Sequence, residues 1–315
     1  MILSVSRRTD IPAVYTDWFF NRLKEGFVLV RNPMNIHQVS RIELSPDVID
    51  CIVFWSKNPQ PMLSRLSELK GYEYYFQYTV NGYGQDIEKN MPSLDARINT
   101  FRDLSDKIGP ERVIWRYDPI LLTDRYSGEF HVERFAYIAE KLKSSTKQCI
   151  ISFVDIYKKL QRNFANQNIT EMNESEILKM SSALAQICSS YGIRLKTCAE
   201  MMDLSSLGID HAHCIDEILI SQLIGKSLKT ANDKNQREEC GCVASIDIGQ
   251  YNTCTNGCCY CYANFNEILT ERNYLEHNDH SGLLTGSLME DDRITNREMK
   301  SLVIQNNQIS FLDIL

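Results

Sequence analysis

Short apolar runs rich in β-branched and aromatic residues alternate with helix-patterned stretches down most of this chain, and that rhythm leaves few folds open. The runs are Ile2–Ser6, Cys51–Trp55, Tyr74–Val80, Arg112–Tyr117, Gln148–Val154, Ile193–Thr197 and, late in the chain, Ala244–Ile248. Continuous apolar runs of this length read as strands buried on both faces. Helices are expected over Tyr15–Lys24, Met62–Leu69, Ser93–Ser105, Val132–Lys143 and Glu174–Tyr191, with a further candidate at Arg293–Leu302. Strands that alternate with helices call for a parallel sheet with right-handed crossovers. The expected fold class is α/β, a partial TIM-like (β/α) barrel.

The runs share a second property: each ends in polar residues. Arg7, Arg8 and Asp10 follow the first run, Lys57 the second and Asn81 the third. Arg116 and Asp118 close the fourth, Asp155 follows the fifth, and Cys198 and Glu200 follow the sixth. In parallel α/β folds ligands sit at the carboxyl ends of the strands, so these residues predict one shared site. Tyr78 is a further candidate contact.

The 11 cysteines are unevenly placed, with six of them between Cys240 and Cys261. Packing does not account for such crowding, although scattered thiols are ordinary core residues. Within the group stands Cys254-x3-Cys258-x2-Cys261, with Gly257 free to make a sharp turn and the aromatic Tyr260 before the third thiol. Three thiolates in a tight loop suit three irons of a [4Fe–4S] cluster and leave the fourth iron open. Cys259 does not fit the spacing. A tetrahedral zinc site made from Cys240, Cys242, Cys254 and Cys258 is the competing arrangement.

The spacing, with its aromatic, resembles the signature of the radical S-adenosylmethionine (SAM) superfamily. That resemblance implies a [4Fe–4S] cluster on Cys254, Cys258 and Cys261, SAM chelating the open iron, and Tyr260 near the adenine. It further implies one-electron cleavage of SAM and hydrogen abstraction from a substrate by the resulting 5′-deoxyadenosyl radical. The chain also resembles the spore photoproduct lyase-like branch, but in rotated order. DIGQYNTC, Ser6-Arg7-Arg8-Thr9-Asp10, Trp55-Ser56-Lys57-Asn58 and Arg116-Tyr117-Asp118-Pro119 stand where that branch has its successive strand-end motifs. A circular permutation is therefore expected, with Ala244–Ile248 as the first barrel strand and Ile2–Ser6 as the second. Joining old termini and cutting a surface loop keeps the core contacts. Over nearly its whole length, from SVSRRTDIPAVY through FWSKNP and WRYDPIL to CGCxxSxDIGxYxTC and CYAN, the chain resembles the bacterial family catalogued as domain of unknown function 1848.

On this reading residues 1–275 form the barrel with its cluster loop at 249–265, and residues 276–315 form a tail packed on it. Lys57 or Arg116 would pair with the carboxylate of SAM. Asp118, placed by the following Pro119, would accept from the ribose or pair with Arg116. Asn81 would be a further cofactor contact. Cys198, Cys214, Cys240 and Cys242 make a second set of thiols, open to a second Fe–S cluster, to zinc or to plain burial.

No apolar stretch reaches the length of a membrane span, and the N-terminus lacks a signal-peptide pattern, so a cytoplasmic protein with reduced thiols is expected. A reductant such as flavodoxin or ferredoxin is the implied partner. The net charge of −7 gives a nucleic acid substrate no support, although the branch allows one. Two other functions fit the sequence: a zinc-stabilised, non-catalytic α/β binding protein, and an iron–sulfur electron carrier or sensor that does not use SAM.

Overall fold

A computed structural model describes residues 1–154 and 168–304. The strands are β1 (Ile2–Val5), β2 (Phe27–Asn32), β3 (Asn35–Glu43), β4 (Cys51–Ser56), β5 (Tyr74–Thr79), β6 (Val113–Ile120), β7 (Gln148–Phe153), β8 (Arg194–Thr197), β9 (Asp210–His211), β10 (Ile246–Asp247) and β11 (Arg293–Asn296). The α-helices are α1 (Ile11–Val14), α2 (Thr16–Glu25), α3 (Leu94–Ile108), α4 (Gly128–Leu142), α5 (Glu174–Ser190), α6 (Glu217–Ile224) and α7 (Glu267–Leu275).

Eight strands form one sheet in the order β10-β1-β4-β5-β6-β7-β8-β9, and every neighbouring pair is parallel. The expected α/β class is therefore observed. The sheet is open, however: β10 and β9 are its edges, and no ladder joins them among the described residues.

Strand pleating sends alternate side chains to opposite faces. On one face Leu3, Val5, Ile52, Phe54, Phe76, Tyr78, Val113, Trp115, Tyr117, Cys149 and Ile151 pack in the main core with residues of α2 to α5. Phe54 stacks on Phe76 at 4.7 Å, and Trp115 stacks on Phe135 of α4 at 4.6 Å. On the other face Ile2, Cys51, Val53, Tyr75, Ile114 and Ile150 meet a second cluster drawn from Ala212, Cys214, Ile215, Ile220, Cys240, Cys242 and Val243. The segment around α6 thus covers the face that the helices leave bare. Burial on both faces is why these strands read as unbroken apolar runs.

Helix starts follow local chemistry. The Asp10 carboxylate accepts from the Ala13 amide at 3.0 Å and Pro12 sits in the first turn of α1. Asn173 and Glu176 form a capping box on α5. Gly26, at φ 77°, ends α2 in the left-handed region.

Four expectations need correction. Met62–Leu69 is not an α-helix but part of two 3-10 turns, Gln60–Met62 and Leu66–Leu69, in a stretch where Pro59 and Pro61 interrupt the backbone donors. Arg293–Leu302 is not a helix: β11 pairs parallel with β3, which pairs antiparallel with β2 in a second, three-stranded sheet. The Ala244–Ile248 strand is reduced to Ile246–Asp247. Tyr78 is not a site residue; it lies in the helix-covered core, with its hydroxyl donating to the Arg97 carbonyl. Asp155 and the end of the tail lie outside the described residues.

The tail packs on α2 and the small sheet as far as β11, and residues 301–304 run beside Asp50 and the Ser227–Lys229 segment. The Trp18 indole donates to the carbonyls of Ser281 (2.9 Å) and Leu283 (3.1 Å), and Arg31 forms a bidentate ion pair with Asp292.

Candidate functional site

The carboxyl ends of β1, β4, β5 and β6 lie on one side of the sheet, and the loop from Gly249 to Phe265 is bound across them. Asp247 of β10 anchors its start. That carboxylate accepts from the Ser4 and Ser6 hydroxyls (2.8 and 2.7 Å) and from the Arg7 and Gly249 amides (2.8 and 2.9 Å). Gly249 is required here, because a Cβ at this position would stand 1.9 Å from the Ser6 hydroxyl oxygen. Asn252, at φ 55°, ties the loop's far end: its side-chain oxygen accepts from the Phe265 and Asn266 amides.

Asp10 fastens the middle. It is buried and accepts from the Ser56 hydroxyl (2.7 Å), the Lys57 amide (2.7 Å) and the Asn256 side chain (2.9 Å) as well as Ala13. One carboxylate thereby joins the end of β1, the end of β4 and the cysteine loop. Burial raises its pKa and these hydrogen bonds oppose the rise.

Cys254, Cys258 and Cys261 are unpaired and half-buried, and they stand close enough to act on one another electrostatically. Burial pushes Cys254 up to about 12 and raises Cys258 and Cys261; Lys57 pulls the last two back down. Cys259 faces elsewhere. It packs with Tyr83, Ile87, Leu121 and Tyr126, and its amide donates to the Ile87 carbonyl at 3.0 Å. Among the described residues, no group of three or more His, Cys, Asp or Glu side chains already frames an ion.

Beside the loop lies a buried polar knot that the sequence did not announce. Glu88 accepts from Lys57 Nζ (2.9 Å), Arg97 Nη1 (2.7 Å), Asn81 Nδ2 (3.3 Å) and the Tyr260 hydroxyl. The Tyr260 hydroxyl in turn accepts from Lys57 at 2.6 Å and from Asn81 at 3.3 Å. Burial opposes ionisation of Glu88, but the charges of Lys57 and Arg97, with the hydrogen bonds, outweigh it and hold the carboxyl at about 2. Glu88 was missed because a glutamate in a loop has no diagnostic spacing.

Of the two cations expected at the site, Lys57 lies beside Cys258. Arg116 turns its guanidinium elsewhere: it pairs with Asp118 through Nε and Nη2, while Nη1 reaches Cys214 Sγ at 3.0 Å and Gln77 at 3.3 Å. Asp118 thus partners Arg116. Arg7 and Arg116 stand on the Trp55 ring at 5.4 and 5.5 Å.

The remaining thiols form their own group. Cys198 Sγ is 2.9 Å from Cys214 Sγ, and Cys240 Sγ is 2.9 Å from Cys242 Sγ. The pairs also touch each other, Cys240 against Cys198 and Cys214, and Cys214 against Cys242. The mixed set of Cys240, Cys242, Cys254 and Cys258 is therefore split between two places.

Fold and site together define a parallel α/β protein that carries a thiol-rich loop across the carboxyl ends of its strands. Residues 2–263 match the family described as Domain of unknown function (DUF1848), and the chain belongs to it. No curated protein matches the chain. A solved structure described as a candidate alpha-L-fucosidase from Bacteroides thetaiotaomicron VPI-5482 overlaps 51% of this chain and 67% of its own, at 12% identity and a TM-score of 0.27. An overlap that loose supports no conclusion about fold or activity.

Proposed function

We propose that this chain is a radical SAM enzyme on a circularly permuted partial barrel, with a [4Fe–4S] cluster held by Cys254, Cys258 and Cys261. The observation that carries the reading is the sorting of the loop's four thiols. The three with the required spacing act on one another electrostatically, with Lys57 beside Cys258 and Cys261 and Asp10 beside Cys254, whereas Cys259 packs into an apolar cluster. The donor set fits, because thiolates are the ligands such clusters take and three of them leave one iron open.

When bound, the cluster supplies the electron that cleaves SAM reductively. The protein's own residues hold the loop and set its charge. Asp10 and Asp247 fix the loop to the ends of β1 and β4. Lys57 brings a positive charge to the thiols, and Glu88 and Tyr260 hold its ammonium in place. Asn81 steadies the Tyr260 hydroxyl.

The sheet order supports the permutation. Read from β10 onward and through the termini to β1, β4 and the rest, the order in space follows the order in sequence without a break. The test is anaerobic reconstitution followed by iron and sulfide counting, then assay of 5′-deoxyadenosine formation with dithionite. Four irons per chain on this loop and SAM-dependent 5′-deoxyadenosine are expected. Reconstituted, reduced protein that makes none refutes the enzymatic reading.

A further inference from the structure

Four thiols from three separate stretches of chain meet at the seam between the two edges of the large sheet. Cys198 follows β8, Cys214 follows β9, and Cys240 and Cys242 precede β10. Cys214, Cys240 and Cys242 are at most 7% exposed. The backbone bridges the same seam, the Val243 amide donating to the Ile215 carbonyl at 3.3 Å. Gly241 makes the Cys-Gly-Cys turn workable: its φ is 59°, and a Cβ there would stand 2.7 Å from the His213 ring.

We propose that Cys198, Cys214, Cys240 and Cys242 form a tetrathiolate site for a single thiophilic divalent cation, Zn²⁺ in the cell, which closes the seam between β9 and β10. The proposal does not rest on the function assigned to the other cysteine loop.

The spacing selects this occupant. At 2.9 Å the sulfurs are well beyond the roughly 2.05 Å of a disulfide. Around an ion with metal–sulfur bonds of about 2.3 Å, tetrahedral thiolates stand about 3.8 Å apart. The sulfurs therefore need to part by less than about 1 Å, within reach of small side-chain rotations. Thiolates on the four corners of an iron–sulfur cube stand much further apart, with the whole cube between them.

The surroundings suit a buried dianion, the net charge of four thiolates and one dication. Arg116 donates to Cys214 Sγ at 3.0 Å, and the Ile215 amide donates to Cys242 Sγ at 3.4 Å. Arg7 lies near Cys214, Cys240 and Cys242, and its Nη2 is buried without a hydrogen-bond partner. Asp118 and Asp233 take the other sides of these guanidiniums, which orients them toward the sulfurs. Two guanidiniums turned toward the sulfurs favour a metal–thiolate centre over neutral thiols, which have no charge for them to meet.

The test uses the full chain purified anaerobically, as wild type, as the triple variant Cys254→Ala/Cys258→Ala/Cys261→Ala, and as the double variant Cys240→Ser/Cys242→Ser. One zinc per chain in the wild type and in the triple variant is expected, released in step with thiol titration. Loss of that equivalent is expected in the double variant. Reloading the triple variant with Co²⁺ gives the visible bands of a tetrahedral four-thiolate ion. Chelation of its zinc lowers Tm, since metal binding adds directly to folding free energy. If the double variant does not fold, the counts and cobalt spectrum of the triple variant still decide. Four irons in the triple variant, a disulfide among the four residues, or four metal-free thiols that leave Tm unchanged on zinc addition would each overturn the proposal. Loss of iron from the triple variant with zinc retained separates this site from the other loop.

Discussion

Glu88 is the best single place to test the electrostatics of the site. It is 1% exposed and sits between the half-buried Lys57, Nζ at 2.9 Å, and the buried Arg97, Nη1 at 2.7 Å. Glu88→Gln keeps the shape and most of the hydrogen bonds and removes the charge. The gap between the ordinary 4.5 and the folded value of about 2, at about 1.4 kcal/mol per pH unit, puts the loss at about 3 kcal/mol at pH 7. Leaving a buried cation unpaired gives a similar range, about 3–5 kcal/mol. The assay is urea unfolding of wild type and variant, prepared alike, across pH. The folded-state value lies below the unfolded one, so the stabilisation is complete above about 4.5 and disappears as pH falls through about 2. The wild-type advantage should shrink across that window. A cost below about 1 kcal/mol at pH 7, the level of a solvent-screened pair, refutes the reasoning.

Gly249→Ala drives a methyl group into the Ser6 side chain and is expected to cost at least about 1–3 kcal/mol in chemical unfolding; a neutral result means the β1–β10 contact is loose. Cys258→Ala should abolish stable iron binding at the loop, whereas Cys259→Ser should leave the iron count unchanged; equal losses from both would disprove the sorting of the thiols. His131 bonds to the Tyr117 hydroxyl and the Leu121 carbonyl, and burial lowers its pKa to about 4. The folded state therefore favours neutral imidazole, and stability falls as pH drops from about 6.5 to about 4; in His131→Gln that part of the pH profile should flatten.

The central strands were legible because both their faces are buried, so pleating leaves no polar alternation to interrupt the runs. The small sheet was not. Its β11 is exposed at all four residues and owes its extended form to pairing with β3 across some 250 residues, which local propensity does not register. The cysteine spacing and the polar strand ends named Lys57, Asn81 and Tyr260, which the structure joins in one knot with Glu88. Arg116 was also named, but its direction depends on the Cys214 segment folding over the opposite face of the sheet. Cys198, Cys214, Cys240 and Cys242 could be grouped from sequence as thiols left over. Only the folded structure, through the Sγ contacts and the Val243–Ile215 hydrogen bond, shows that they meet between β9 and β10.

The same sheet order lets the chain be relinked and reopened by design. The amino group of Met1 and the amide of Leu302 both donate to one oxygen of Asp50, the latter at 2.8 Å, so the chain near its end passes beside its start. A flexible linker can then join the C-terminus to Met1, and the chain can be reopened between the exposed Lys234 and Asn235. The relinked protein keeps every ladder of the large sheet and runs through it in sequence from β10 to β9. Tether length enters only logarithmically, about 0.6 kcal/mol for each doubling, so unfolding free energy should stay within about 2 kcal/mol of the parent. Circular dichroism and urea unfolding read the outcome. A relinked chain that is soluble but lacks a cooperative transition would mean that the covalent crossing near residues 234–235, rather than the ladders and the thiol-lined seam, holds β10 against β1.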